Sequence, residues 1–298
     1  MNKQGSKNNL NKIGVILALI SAFFSALYVI FEKKYILLTN SESILFLMYL
    51  GAGLGLLITY LLTKNSSKIK QEKITKKELP QVALIVICEL VASLLIIEAL
   101  KIVSAGVVSL LLVFEIIMTS IFAYLIFKEP IENNELVSIV LIIIGFVILN
   151  LDINSISQIS ISSLLVIGAC ISWGLENNVT SLLSSKEPAL FTSVKCLSVS
   201  ILYLVIALIG NSLDISHPIL LFYGFLSYGI GILTYALSTK YLGANKATLI
   251  FSFNPIFGVL LAITLYKEVV TTSFFISSII MIIAIIILNK PSKKKSTK

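Results

Sequence analysis

Residues 99–129 read ALKIVSAGVVSLLLVFEIIMTSIFAYLIFKE, and residues 238–268 read STKYLGANKATLIFSFNPIFGVLLAITLYKE. The two stretches align without a gap at a constant shift of 139 residues. Matches of Ile or Leu are expected by chance in so apolar a chain, but a Lys-Glu pair closing both stretches, at 128–129 and 267–268, is not. The repeat predicts that the protein is built from two related halves.

The composition places most of the chain in lipid. Of its 298 residues 57% are hydrophobic and 13% are charged, about half the charged share of a soluble domain, and the mean hydropathy is +1.00. Apolar runs of about 20 residues recur, each long enough to cross about 30 Å of hydrocarbon, and their continuity favours helices over barrel strands. We predict an all-α integral membrane protein with ten transmembrane helices. They lie near 13–31, 43–63, 81–100, 104–127, 134–151, 161–183, 190–210, 218–239, 244–266 and 272–289.

The basic residues indicate an orientation in the membrane. All of them are lysines, and most fall in alternate loops and in the two tails. The positive-inside rule therefore predicts a multi-pass protein of the cell (inner or plasma) membrane with both termini in the cytoplasm. A cleaved signal peptide is the alternative for the first run, but that run is longer than a signal core and ends in charged residues 32–34. A nucleic-acid partner is not expected, because such proteins use Arg and gather their cations in one stripe.

The spans and the repeat together predict the domain organisation. A cytoplasmic tail at 1–12 precedes a first five-helix repeat at 13–151, and a second repeat at 161–289 precedes a basic cytoplasmic tail at 290–298. Because five is an odd number of crossings, the second repeat must run through the membrane in the opposite sense. Inverted repeats are common in secondary transporters, where they place the substrate site between the repeats near the midplane.

One proline, Pro255, is expected in the middle of a span, directly after Asn254. A proline there removes a helical hydrogen bond and frees a carbonyl. The equivalent position in the first half is Glu115, so both halves carry a polar residue at the same depth. We interpret Glu115, Asn254 and Pro255 as candidates for lining a substrate cavity; a kink with packing alone is the alternative.

The sixth and seventh spans carry further polar candidates. Trp173, Glu176, Asn177 and Thr180 fall at i, i+3, i+4 and i+7, which sets them on one helical face. That face should point away from lipid, either to line a cavity or to join helices as a polar seam. Lys195 in the seventh span needs an acidic partner, for which Glu176 is the first candidate; it could instead anchor a substrate carboxylate.

Acidic and aromatic residues in other spans extend this candidate set. Glu89 lies deep in the third span, and burial could let Glu89, Glu115 or Glu176 exchange protons in a coupled transport cycle. Tyr228 and Tyr235 in the eighth span could stack on a substrate, although packing in the protein interior is the commoner use of Tyr.

Metal, cofactor and enzyme chemistry find no support in the sequence. The three cysteines lie in apolar runs without a Cys-x-x-Cys, the single His is in a predicted loop, and no phosphate-binding loop or catalytic motif occurs. We therefore expect no metal, no cofactor and no enzymatic activity. A Gly-x-x-x-Gly spacing at 51–55 favours close helix packing, within one chain or between two in a homodimer.

Several of these motifs, in this order, resemble the EamA-type permeases of the drug/metabolite transporter superfamily. They are Ala99–Ala105, Ser109–Leu112, Glu115, Lys128-Glu129-Pro130, Trp173-Gly174, Tyr241–Ala244, Asn254-Pro255 and Lys267-Glu268. Two positions depart from the family pattern: Ser25-Ala26 stands where the first repeat commonly has Trp-Gly, and Ile116 follows Glu115 where Pro is frequent.

The resemblance implies two inverted five-helix repeats around a central cavity that opens to each side in turn. It also implies secondary transport, often export, of amino acids or other small metabolites, so the expected partners are a small-molecule substrate and the lipid bilayer. Two other functions stay open on the sequence. One is a structural or sensory membrane protein, whose intramembrane polar residues should pair off completely, and the other is an intramembrane lipid-modifying enzyme.

Overall fold

The computed structural model describes residues 3–63, 74–150, 156–183, 186–242 and 244–290. Most of the lysine-rich segment between the second and third predicted spans, residue 243 and nearly all of the basic tail lie outside these residues. The α-helices are α1 Lys3–Tyr35, α2 Ser41–Thr63, α3 Leu79–Ile102, α4 Ala105–Leu111, α5 Phe114–Phe127, α6 Asn133–Leu149, α7 Ile156–Ser181, α8 Pro188–Ile209, α9 Ile219–Gly224, α10 Gly231–Leu242, α11 Ala244–Phe251, α12 Asn254–Tyr266 and α13 Thr272–Leu288. A 3₁₀ turn spans Lys76–Glu78, and a π-helix spans Phe225–Ile230.

The helices confirm an all-α, multi-pass membrane protein. Among the described residues, seven helical segments are long and apolar enough to cross a bilayer, and α6 and α13 are shorter apolar helices of 17 residues. At 1.5 Å per residue these two reach about 26 Å, slightly less than the usual hydrocarbon thickness. The seven segments are Asn11–Tyr35, Ser41–Thr63, Lys76–Ile102, Ala105–Phe127, Pro188–Ile209, Ile219–Thr239 and Lys246–Tyr266.

Equivalent helices of the two halves pack against each other in antiparallel orientation, as α6 and α13 illustrate. The Ser138 hydroxyl donates to the Ala284 carbonyl at 2.9 Å, and a Cβ placed on Gly145 would lie 3.4 Å from the Ser277 carbonyl oxygen. Adding 139 to 138 gives 277, and subtracting 139 from 284 gives 145. The two contacts therefore exchange when the repeats are exchanged, which is the signature of a two-fold relation.

The second helices of the halves, α2 and α8, show the same relation. Ser193 donates to the Gly53 carbonyl at 2.8 Å, and Ser200 donates to the Phe46 carbonyl at 3.1 Å. Residue numbers rise along α2 as they fall along α8, so these helices are also antiparallel. Repeats that crossed the membrane in the same sense would bring equivalent helices together in parallel instead.

Helix breaks occur at matching places in the two halves. The segment of α4 and α5 is interrupted at 112–113, and that of α11 and α12 at 252–253. Only the second break is followed by a proline, Pro255 in the first turn of α12. Proline is therefore not required for the interruption. Glu115 and Asn254 each lie in the first turn of the helix that follows the break.

Glycines let the backbones of α2 and α9 touch. A Cβ added to Gly51 would lie 1.9 Å from the Leu221 carbonyl oxygen, and one added to Gly224 would lie 1.9 Å from the Met48 carbonyl oxygen. Both distances are far inside van der Waals contact, so only Gly fits. Small residues at helix crossings are a usual means of packing within lipid, as the glycine spacing predicted. The contact also holds the start of the π-helix against α2.

Candidate functional site

A buried ion cluster lies where α3, α7 and α8 meet. The Lys195 ammonium bonds Glu176 Oε1 at 2.9 Å and Glu89 Oε2 at 3.1 Å. The side chains of both acids are less than 10% exposed, and that of Lys195 is 14% exposed. A buried charge is tolerated only when it is paired and hydrogen-bonded, and one lysine here serves two carboxylates. With all three groups ionised, the cluster carries one net negative charge.

Two further donors hold Glu89. The Trp173 indole N–H donates to Glu89 Oε2 at 3.1 Å, and the Tyr49 hydroxyl donates to Glu89 Oε1. Glu89 therefore receives bonds from α2, α7 and α8 while it is itself on α3. Because four helices converge on one carboxylate, a change in its charge or position would alter the contacts of all four helices.

Stacked tyrosine rings extend from this cluster. Tyr228 lies between Tyr28 and Tyr49, with ring centroids 5.5 Å and 5.1 Å away and planes inclined by 25° in each case. Tyr203 continues the stack beyond Tyr49 at 6.2 Å, and the Trp173 ring meets Tyr28 edge-on at 6.0 Å. We call Tyr28, Tyr228, Tyr49 and Tyr203 the tyrosine ladder. The ladder joins α1, the π-helix, α2 and α8.

The π-helix is the element that presents Tyr228 to the ladder. A π-helical turn is rare, recurs at functional sites and rotates the side chains that follow it relative to an α-helix. Here it follows the tight contact of α9 with α2 and contains Tyr228 itself.

A second polar group lies between α5 and α7. The Asn177 amide donates to Glu115 Oε1 at 2.8 Å, and the neighbouring Asn178 amide donates to the Thr119 carbonyl at 3.0 Å. Gly174 permits the close approach, because a Cβ there would lie 2.7 Å from the Cβ of Met118. Asn177 is exposed and Glu115 is half-buried, so this part of the site is the more accessible.

Comparison with known proteins identifies the family. The model of the EamA-like transporter family matches residues 12–151 and again residues 160–290. The chain belongs to the EamA-like transporter family. A crystal structure of another protein matches this EamA-like chain with a TM-score of 0.68 at 10% sequence identity, covering 93% of this chain and 95% of its own. At that identity the likeness shows the fold alone. No curated protein matches significantly.

The EamA-like structure brings together most of the residues singled out in the sequence. Glu89, Trp173, Glu176 and Lys195 form the ion cluster and its immediate contacts, and Tyr228 belongs to the ladder that leads from it. Glu115 and Asn177 bond each other next to this set. Lys195 pairs with Glu176, as the sequence suggested, and with Glu89 in addition.

Four of the predicted residues lie apart from that cluster. Tyr235 bonds the Thr248 hydroxyl at 2.6 Å and packs on Phe251, which joins α10 to α11. Pro255 lines an apolar cavity of about 60 Å³. That cavity is bounded by apolar residues of α4, of the break that follows it, of α12 and of α13, together with Ser278. Asn254 and Thr180 are half-buried, and within the described part of the chain neither side chain bonds to the ion cluster.

Sequence reasoning missed four residues of the site in this EamA-like chain: Glu32, Tyr28, Tyr49 and Tyr203. The predicted first span ends at residue 31, just before the charged residues 32–34, whereas the Glu32 side chain is fully buried. The available signal was the spacing of Tyr28 and Glu32 at i and i+4, which places both on one face of α1. Tyr49 and Tyr203 give no such signal, because isolated tyrosines in apolar runs are usually packing residues.

Proposed function

We propose that this protein is a secondary transporter that exports small metabolites, such as amino acids, across the cell membrane by alternating access. In this proposal the chain crosses the bilayer ten times as two inverted five-helix repeats, with both termini in the cytoplasm. The observation that carries the proposal is a buried cluster of polar and charged groups held between antiparallel halves. Membership of a transporter family supports it.

The unpaired polar groups favour transport over a purely structural role. A structural membrane protein should satisfy its intramembrane polar groups completely, because each unsatisfied group costs several kcal/mol. Among the described residues, the Tyr28 hydroxyl and both carboxylate oxygens of Glu32 are buried without a hydrogen-bond partner. A substrate that binds transiently would supply the hydrogen bonds that these groups lack.

Proton coupling is part of the proposal. Lys195 bonds to Glu89 and Glu176, and both Glu89 and Lys195 act electrostatically on Glu115. A proton taken up by one carboxyl would release Lys195 toward the other. Exchange of protons with substrate would thus change the contacts between α3, α7 and α8, which is the linkage that a coupled carrier needs.

A substrate screen in proteoliposomes tests the function. Purified protein would be reconstituted with and without a pH gradient and supplied with labelled amino acids and other small metabolites. We expect uptake of some substrate above that of empty liposomes, a dependence on the pH gradient, and a loss of at least about tenfold in Glu115→Gln and Lys195→Met.

A matched variant controls for the removal of a carboxylate. Glu98 is on α3 like Glu89, but its side chain is 39% exposed and pairs with Lys101 at the helix end. Glu98→Gln should transport like the wild type. Equal transport by Glu115→Gln, Lys195→Met and the wild type would show that the assigned site is wrong, and no transport of any substrate would contradict the proposed function.

A further inference from the structure

The Lys-Glu pair that closes both repeat stretches is a motif that the proposed function leaves unexplained. In both halves the lysine ends its helix in the left-handed conformation, with φ of 59° at Lys128 and 52° at Lys267. This conformation is unfavourable for a residue that carries a Cβ, so its occurrence at both positions indicates a function for the turn. The turn sets the direction of the glutamate that follows, which is Glu129 after α5 and Glu268 after α12.

Only one of these two glutamates caps a helix. Glu268 Oε1 accepts from the Ala105 amide at 2.8 Å, and its Oε2 accepts from the Gly106 amide at 2.9 Å. These are the first amides of α4, which have no partner within their own helix and lie at its positive end. Glu129 follows the same left-handed turn but is exposed, and its carboxylate accepts no bond from the residues that the structure describes.

The packing of the helices differs between the halves in the same sense. Helix α12 lies along α4, where a Cβ on Gly106 would be 3.5 Å from the Ala262 Cβ, and one on Gly258 would be 2.5 Å from Ser109 Oγ. Their repeat equivalents, α5 and α11, barely touch over the described ranges. The bundle is therefore closed between α4 and α12 and open between α5 and α11.

We propose that Glu268 and Glu129 are alternating latches of the transport cycle. Glu268 bonds the start of α4 in the conformation described here, and Glu129 bonds the start of α11, at the amides of Ala244 and Asn245, in the opposite conformation. Exchanging the repeats converts the first contact into the second, residue for residue. This inference rests on the proposed transport function and names the residues that hold its two states.

The two latches form in alternation, and the chain favours one of them. Because each closed end has a carboxylate on the first amides of a helix, the free energy lost when one latch opens is regained when the other closes. The Tyr266 hydroxyl adds a bond to the Ile30 carbonyl at the closed end. Its repeat equivalent is Phe127, which has no hydroxyl. The conformation described here is therefore the more populated of the two.

Disulfide formation between α5 and α11 detects the opposite conformation. Ala123 and Asn245 are the repeat equivalents of Ala262 and Gly106, whose 3.5 Å Cβ separation lies within the range of a disulfide. In nanodiscs under a mild oxidant, Ala123→Cys/Asn245→Cys should form a disulfide slowly, at a rate that follows the population of the opposite state. Gly106→Cys/Ala262→Cys is the positive control and should form its disulfide rapidly. The native cysteines are buried, and the latch itself uses backbone amides that the substitutions retain.

Reciprocal changes at the two glutamates test the latches. Added to the α5–α11 reporter pair, Glu129→Gln should slow disulfide formation about tenfold, because the opposite state loses bonds to a charged acceptor. Glu268→Gln should speed it by a similar factor, and Tyr266→Phe by about threefold, because both weaken the state described here. Glu132→Gln is the matched control, since Glu132 caps its own helix α6, and it should leave the rate unchanged.

The results separate the latches from the transport function. No disulfide in the reporter pair, even with Glu268→Gln, or an unchanged rate with Glu129→Gln would overturn the inference. Glu129 is exposed, so its variant should fold; if Glu268→Gln does not, Tyr266→Phe supplies the opposite change. The disulfide assay needs no substrate. Transport together with a rate insensitive to Glu129→Gln would refute the latches and leave the transport function standing, whereas reciprocal rates without any transport would support the latches alone.

Discussion

At the scale of single residues, the site is dominated by the ion cluster around Lys195. Its attraction to two carboxylates offsets the cost of removing three charges from water, and bonds from Trp173 and Tyr49 complete the shell of Glu89. Such a cluster contributes little net stability as a whole. Loss of one member is expensive, because the remaining charges stay buried.

Replacing Lys195 with Met should therefore destabilise the protein, by about 3–5 kcal/mol. The triple variant that adds Glu89→Gln and Glu176→Gln should recover most of the loss, since no uncompensated charge then stays in the interior. Thermal unfolding of the detergent-solubilised protein, followed by fluorescence, measures both effects. If Lys195→Met alone melted at the same temperature as the wild type, the cluster would not be ionised.

Asp214, in the loop between α8 and α9, is expected to confer a pH dependence on stability. Its carboxylate accepts from the Ser216 amide at 2.9 Å, and bonds from Ser216 lower its pKa to about 2. A lowered pKa in the folded state stabilises the protein above the unfolded value of about 4, and this stabilisation is lost as the pH falls toward 2.

The variant Asp214→Asn should accordingly melt at a lower temperature than the wild type at pH 7. The difference should shrink as the pH is lowered from about 4 toward 2, because protonation then removes the same charge in the wild type. Melting curves of both proteins across this range measure it. If the difference in melting temperature did not change with pH, it would arise from the Asn side chain of the variant and not from the lost charge.

At the scale of secondary-structure elements, glycine contacts determine where the site residues stand. Gly51 and Gly224 let α2 and α9 touch, and the π-helix that follows α9 then inserts Tyr228 between Tyr49 and Tyr28. The aromatic part of the site therefore depends on a contact in which no aromatic residue takes part.

The substitution Gly224→Ala should disturb this contact. The new Cβ would lie 1.9 Å from the Met48 carbonyl oxygen, so the backbones must separate, and overpacking of this kind costs at least about 1–3 kcal/mol. We expect a lower melting temperature and an altered Trp173 emission. Gly168→Ala in α7 is the control, because its Cβ would meet only the flexible end of Leu95, at 3.1 Å.

At the scale of the whole molecule, the two-fold relation between the halves is not complete. Glu268 accepts from the amides of Ala105 and Gly106 at 2.8 Å and 2.9 Å, which ties the end of α12 to the start of α4. Its repeat equivalent, Glu129, is exposed, and within the described residues no hydrogen bond of its carboxylate is seen. Within the described residues, the tie at one end of the bundle therefore has no counterpart at the repeat-equivalent end.

Hydrogen exchange can test whether Glu268 fastens that end. Glu268→Gln should speed exchange of the amides in peptides that begin near residue 104 by about tenfold, because a bond to a charged acceptor contributes about 1.5–3 kcal/mol. Glu129→Gln is the matched control and should exchange like the wild type. Unchanged exchange in Glu268→Gln would mean that other contacts hold the two halves together at this end.

The sequence anticipated part of the site. Glu176 and Lys195 are 19 residues apart on consecutive spans, so their pairing could be inferred from neighbourhood alone. Glu89 joins the same lysine from 106 residues away, and nothing in its local sequence specifies that partner. The sequence ends the first predicted span at the charged residues 32–34, whereas in the structure Lys33 bonds to α3 and the Glu32 side chain is buried.

The sequence by itself determined that most of the chain lies in lipid, that it forms helices and that its two halves are related. Each of these follows from hydrophobicity along the chain or from a repeat of residue types, which are local or periodic properties. Only the tertiary structure decided which acids share Lys195, that four tyrosines from four elements stack, and that the Glu32 side chain is enclosed with no hydrogen-bond partner among the described residues. The physical reason is that these contacts arise from the packing of helices far apart in the chain, where glycine contacts and helix breaks set the directions of the side chains.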